Sequence, residues 1–192
     1  MAAVFTEEWF KAEANNAKYQ RALDEANIQR EHFLEKYSYE KLRTLSDEEI
    51  LSVMFLNDKK TENMCSALLG KETNCFVDVG QGSMHQFLLY YDYGKNQNKK
   101  NNPGVSGWTI GSASKEKKIS PEEALSKAKK IRDGIVKIAK YIKENGEEDP
   151  TLIDYRKLEQ LFKDAGFNKN QRFLKYFAIS FPHIIPDRKS VV

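Results

Sequence analysis

Cysteine, histidine and proline are scarce in the 192-residue chain, with two, three and five copies. Cys65 and Cys75 are too few for a disulfide framework, and His32, His85 and His183 do not supply the further ligands a zinc site needs at ligand spacing. The two cysteines therefore read as reduced, partly buried thiols. No stretch approaches the ~20 apolar residues of a membrane span. The opening MAAVFTEEWFKAEANNAKYQ lacks the basic region and apolar core of a secretory signal. The expectation is a soluble, cytoplasmic protein without a membrane partner. A P-loop GK[ST], HExxH, DxD and a PD-D/E-x-K nuclease pattern are also missing. No catalytic constellation emerges, so neither an enzyme nor a bound cofactor or metal is expected.

The composition suits one domain, with 40% hydrophobic and 31% charged residues. A net charge of +3 and an isoelectric point near 8.6 permit nucleic-acid binding without indicating it.

One stretch stands apart from its helical surroundings: CFVDVGQGSMHQFLLYYDY, from Cys75 to Tyr93. Strand-forming residues are interrupted by Gly80-Gln81-Gly82-Ser83 and resume at once, which predicts a hairpin with strands over Phe76–Val79 and Met84–Tyr93. The second strand is apolar on both faces around Phe87–Tyr91 and belongs inside a sheet. The glycines do not fit a Rossmann fingerprint, because strand formers follow them. They either supply a tight turn only, or also let backbone amides approach a ligand beside Gln81 and Ser83. Ser83 and His85 share a strand face with no third orienting group, which is no established nucleophile arrangement. KNQNKKNNPG, from Lys95 to Gly104, reads as a loop, and Val105–Ile110 as a third strand antiparallel to the second.

Elsewhere the signals are helical. Thr6 to about Tyr37 lacks Gly and Pro, with one seven-residue line through Trp9, Leu23 and Tyr37 and another through Ala12, Tyr19, Ala26 and Phe33. This helix packs over the rest of the domain or pairs with a partner. Ser46 through Glu49 forms a capping box ahead of a short helix, and a second carries Met64, Leu68 and Leu69. Ser120-Pro121 with Glu123 opens a long helix ending at Gly146, apolar at Leu125, Ala128, Ile131, Ile135, Ile138 and Ile142. Asp149-Pro150 opens another helix through Gly166, and Asn168 with Gln171 opens the last, through Phe173, Leu174, Tyr176, Phe177 and Ile179. The fold class is α+β: a small three-stranded antiparallel sheet packed against several helices, with residues 1–40 as a long N-terminal helix and 41–192 as the domain.

Two surfaces carry alternative readings. Phe87, Tyr90, Tyr91, Tyr93 and Trp108 form either sheet core or a base-stacking surface, with Lys95, Lys99 and Lys100 either solvating a loop or holding phosphates. Lys127, Lys130, Lys137 and Lys140, opposite the isoleucines, are either a solvated face or a track for a phosphate backbone.

The order LSDEEILSVMFL, GQGSMHQFLLYY, GWTIGS, ISPEEALSKAKKIRDGI, DYRKLEQLF and FLKYFAISFPHIIPDR resembles the region preceding the motor domain in McrB-like AAA+ proteins of modification-dependent restriction systems. The resemblance runs from about Leu45 to Arg188. It is carried by Gly82-Ser83 before Phe87–Tyr91, by Trp108, by Ile131-Arg132-Asp133, and by Phe173–Pro182 with Pro186-Asp187. The turn departs from a glycine-rich GGGS, Met84-His85-Gln86 replaces a small-aromatic-basic run, and no GTP-binding motor motif is present. The resemblance implies a non-catalytic DNA-recognition or adaptor domain, with a role in phage defence. Gln81, Ser83, His85, Tyr91, Lys95, Lys99, Lys100 and Trp108 would contact double-stranded or modified DNA, and an AAA+ GTPase or nuclease would act as partner. The alternative function is a protein-interaction module that docks such a motor or nuclease.

Overall fold

The computed structural model describes residues 17–56, 62–70, 73–76, 87–93, 106–111, 116–167 and 170–185. Its organising element is α5, Pro121–Gly146, which follows α1 (Ala17–Tyr37), α2 (Tyr39–Leu42), α3 (Asp47–Met54), α4 (Met64–Leu69) and strands β1 (Tyr90–Asp92), β2 (Gly107–Ile110) and β3 (Lys117–Lys118). A single 3-10 turn, Pro150–Leu152, precedes α6 (Tyr155–Asp164) and α7 (Gln171–Ser180). The α+β class and the three-stranded antiparallel sheet, ordered β1-β2-β3, agree with the sequence expectation.

Helix α5 forms where the sequence places it because every local signal agrees. The Ser120 hydroxyl accepts from the Glu123 amide at 3.2 Å, the Glu123 carboxylate accepts from the Ser120 amide at 3.0 Å, and Pro121 fills the first helical position. Ile131, Ile135, Ile138 and Ile142 are buried along one face, each contributing about 1.5–3 kcal/mol over leaving it exposed. That face meets α2, α3, α6 and β2. Ser120→Ala should cost about 1 kcal/mol and lower Tm by roughly 2–4 °C in a calorimetric scan. An unchanged Tm would mean that the cap is not formed in solution.

A second group of helices closes the core. The buried Phe33 and Tyr37 at the end of α1 pack toward α7, where the Tyr176 hydroxyl donates to the Tyr37 carbonyl at 2.9 Å. Arg30 donates to the Ile179 and Ser180 carbonyls at 2.9 and 3.4 Å. Leu23, on the same seven-residue line as Tyr37, is 42% exposed, so among the described residues the line is buried only at its C-terminal end. Residues 6–16 of the expected helix lie outside the described residues.

Three expectations are corrected. The helix expected from Asp149-Pro150 is split: Asp149 caps only the 3-10 turn, Ile153 is extended, and Asp154 accepts from the Arg156 and Lys157 amides to start α6. The extended link is held by packing, since a Cβ on Gly146 would sit only 3.1 Å from Ile184 and nearer still to Ile153. Second, Phe87–Leu89 is not strand, because Leu88 adopts a positive φ of 68°, which breaks the extended run before Tyr90. Among the described residues β1 pairs with β2 alone rather than lying inside the sheet, and Phe76 sits in a turn, its amide donating to the Thr73 carbonyl. Residues 77–86, the rest of the expected hairpin, are outside the described residues. Third, the polar Lys117–Lys118 supplies the third strand, paired with Ile110 and Thr109. Its exposed lysines suit a sheet edge.

Candidate nucleic-acid interface

The sheet brings two of the eight expected contact residues together. β1 and β2 pair Tyr91 opposite Trp108, and the rings meet edge-to-face with centroids 5.2 Å apart. Tyr93, two residues on and so on the same side as Tyr91, meets it at 4.9 Å. The resulting ladder runs from interior to surface: Trp108 is 8% exposed and packs into the core, Tyr91 is half-buried, and Tyr93 is 40% exposed. Gln81, Ser83, His85, Lys95, Lys99 and Lys100 lie outside the described residues.

The opposite side of the sheet is polar and enclosed. Tyr90 and Thr109 pair there and are buried, and the exposed margin carries an Asp92–Lys118 ion pair at 2.8 Å. Burial, reinforced by the nearby Glu116 and Asp92 carboxylates, holds the Tyr90 phenol well above its usual range, so it stays protonated at neutral pH.

Beneath the start of β1 are two buried cations that the sequence reading passed over. Arg172 is fully buried with its guanidinium 5.4 Å from the Phe87 ring centre, and Lys175 donates to the Leu68 carbonyl at 2.9 Å. Leu68 lies in the last turn of α4, where carbonyls lack helical partners and the helix dipole favours a cation. Leu174 between them is 38% exposed, the reverse of the hydropathy expectation for α7. The available signal was two cations three residues apart within QRFLKYFAIS. Burial raises the Cys65 thiol more than the Arg172 charge lowers it, which keeps it an unreactive thiol. Both cysteines are free.

Charge on α5 divides by partner. Lys129 pairs with Asp47 at 2.6 Å, Lys143 with Glu40 at 3.4 Å, and Arg132 with Asp133 at 2.9 Å while also donating to the Leu45 carbonyl. The Ile131-Arg132-Asp133 element thus fastens α5 to the entry of α3. Lys127, Lys130, Lys137 and Lys140 form no ion pair among the described residues, and the last three are exposed.

No family model, curated protein or solved structure matches the chain. Among the described residues there is no group of three or more His, Cys, Asp or Glu placed to hold a metal ion, and no helix long and apolar enough to cross a membrane.

Proposed function

We propose that the protein is a non-catalytic DNA-recognition or adaptor domain, akin to the region preceding the motor in McrB-like restriction proteins and working with an AAA+ GTPase or nuclease. The observation that carries this reading is the aromatic ladder at the sheet. Trp108 anchors Tyr91, Tyr91 braces Tyr93, and Tyr93 offers a half-open ring at the entry to the stretch that holds Lys95, Lys99 and Lys100. A base drawn out of the duplex stacks on such a ring while lysines neutralise the flanking phosphates.

Fluorescence anisotropy with duplex oligonucleotides, methylated and unmethylated, should report binding that weakens steeply with salt. Lys99→Glu combined with Lys100→Glu should weaken every duplex alike, because phosphate contacts carry no sequence information. Absence of binding to any duplex at low salt would remove the proposal.

The protein-interaction alternative needs an apolar stripe left exposed once the core is built. Among the described residues the exposed large apolar side chains are dispersed: Leu23 and Ile28 stand about 140° apart around α1, and Tyr93, Leu152, Tyr155 and Leu174 lie on other elements. That dispersion favours the DNA reading.

A further inference from the structure

We propose that Lys117, on the edge strand β3, is a phosphate contact for duplex DNA that crosses the sheet on the side of the aromatic ladder. The inference rests on the DNA-binding reading above and extends its site from Tyr93 to the far edge of the sheet.

The first argument is how the sheet divides its charge. β2 pairs Ile110 with Lys117 and Thr109 with Lys118, so Lys117 shares the side of Trp108 and Tyr91, and Lys118 shares the side of Tyr90. On that second side the Lys118 ammonium meets Asp92 at 2.8 Å, and Glu116 also lies close to the Tyr90 phenol. Asp92 and Glu116 are the only carboxylates in residues 90–93, 106–111 and 116–119, and both stand opposite the ladder. On the ladder side of these residues the only charge is Lys117, which is exposed and forms no ion pair among the described residues. Guarding a sheet edge calls for charge on β3, which either lysine supplies, but it does not call for the carboxylates to keep to one side.

The second argument is rigidity and reach. Strands about 4.8 Å apart, rising about 3.3 Å per residue, put the Lys117 Cα about 12 Å from that of Tyr91 and about 16 Å from that of Tyr93. The longer distance is close to five 3.4 Å rises counted along one DNA strand, so a base stacked on Tyr93 and a phosphate on Lys117 fit one continuous run. Tyr91, Ile110 and Ile119 lie between these two corners, half-buried and packed on the core, so no carboxylate of the described strands repels a phosphate on the way. The lysine stem starts from a fixed frame: just beyond β3, the Ile119 amide donates to the Trp108 carbonyl at 3.0 Å.

The test compares variants of the full chain against a fluorescein-labelled duplex over a salt series. Lys117→Gln should lower the slope of log K against log salt by about 0.9, the value of one lost phosphate contact. Affinity at about 0.1 M salt should fall roughly fivefold to tenfold. Lys117→Arg keeps the charge and should keep the wild-type slope. Lys118→Gln removes the neighbouring lysine on the other side of the sheet and should leave the slope nearly unchanged. Both lysines are exposed, so circular dichroism and Tm should stay close to wild type and verify folding. A Lys117→Gln variant with the wild-type slope, or a Lys118→Gln variant that loses as much, overturns the Lys117 contact while leaving the aromatic ladder in place. Failure of the wild-type chain to bind any duplex overturns both.

Discussion

Replacing Phe173 with alanine should destabilise the protein by about 3–5 kcal/mol, a third or more of the stability of many domains. The side chain is fully buried, stacked on Phe167 at 3.9 Å with planes 15° apart, and edge-on to Phe87 at 6.2 Å. Its removal therefore unpins three segments together: the turn ahead of β1, the exit from α6, and α7 itself. Lost transfer energy and the residual cavity make up most of the cost, and each aromatic pair adds about 0.5–1.5 kcal/mol. In guanidinium unfolding, the midpoint should drop by about 1 M with the slope retained. Phe173→Leu, which refills most of the volume, should recover a large part of the loss. A loss below about 1 kcal/mol for alanine would show that the Phe87–Phe173–Phe167 stack is not formed in solution.

Trp108→Ala and Tyr93→Ala should separate folding from recognition. Trp108 is 8% exposed and packed in the core, so its truncation should cost about 3–5 kcal/mol, and any loss of DNA binding would reflect a weakened sheet. Tyr93 is 40% exposed, so Tyr93→Ala should cost about 1 kcal/mol or less in stability. The same substitution should weaken DNA binding by about 1–3 kcal/mol, the range for one base stacked on an aromatic ring. Thermal melts and anisotropy on the same preparations decide the matter. Tyr93→Ala with wild-type affinity would remove the stacking role, and Trp108→Ala with wild-type stability would contradict its place in the core.

Helix α5 was legible to its last residue because cap, proline, apolar period and terminal glycine coincide. Asp149-Pro150 shows the same opening signal and yields one 3-10 turn, since Asp154 competes as a cap five residues later and Ile153 packs against Gly146. Composition marks the apolar run before Tyr90 as strand, yet the left-handed Leu88 is set by where Phe87 and Leu89 find burial. β3 was illegible because two exposed lysines have no apolar alternation to betray them. In α7, hydropathy selects Leu174 for the core and Lys175 for solvent, whereas the Leu68 carbonyl in the last turn of α4 accepts from the ammonium and draws it inward. Of the candidate site, the sequence groups Tyr91 and Trp108 with three other aromatics on one surface, and the strand register sets these two opposite each other while turning Tyr90 to the other side of the sheet. That grouping gave no indication that Trp108 would be the buried end of the pair.

The grip on the end of α1 has a mechanical consequence. Arg30, Phe33 and Tyr37 are clamped to α7, while Arg21–Glu25 are exposed on every face. Among the described contacts α1 is thus built in at its C-terminal end, with about 20 Å of axis between Arg30 and Ala17. A load applied near Ala17 acts with that lever arm on the last turn of α7, through the Ile179 and Ser180 carbonyls. The same helix carries Phe173 under Phe87, so tension or torque on the N-terminal helix has a short, stiff route to the base of the aromatic sheet.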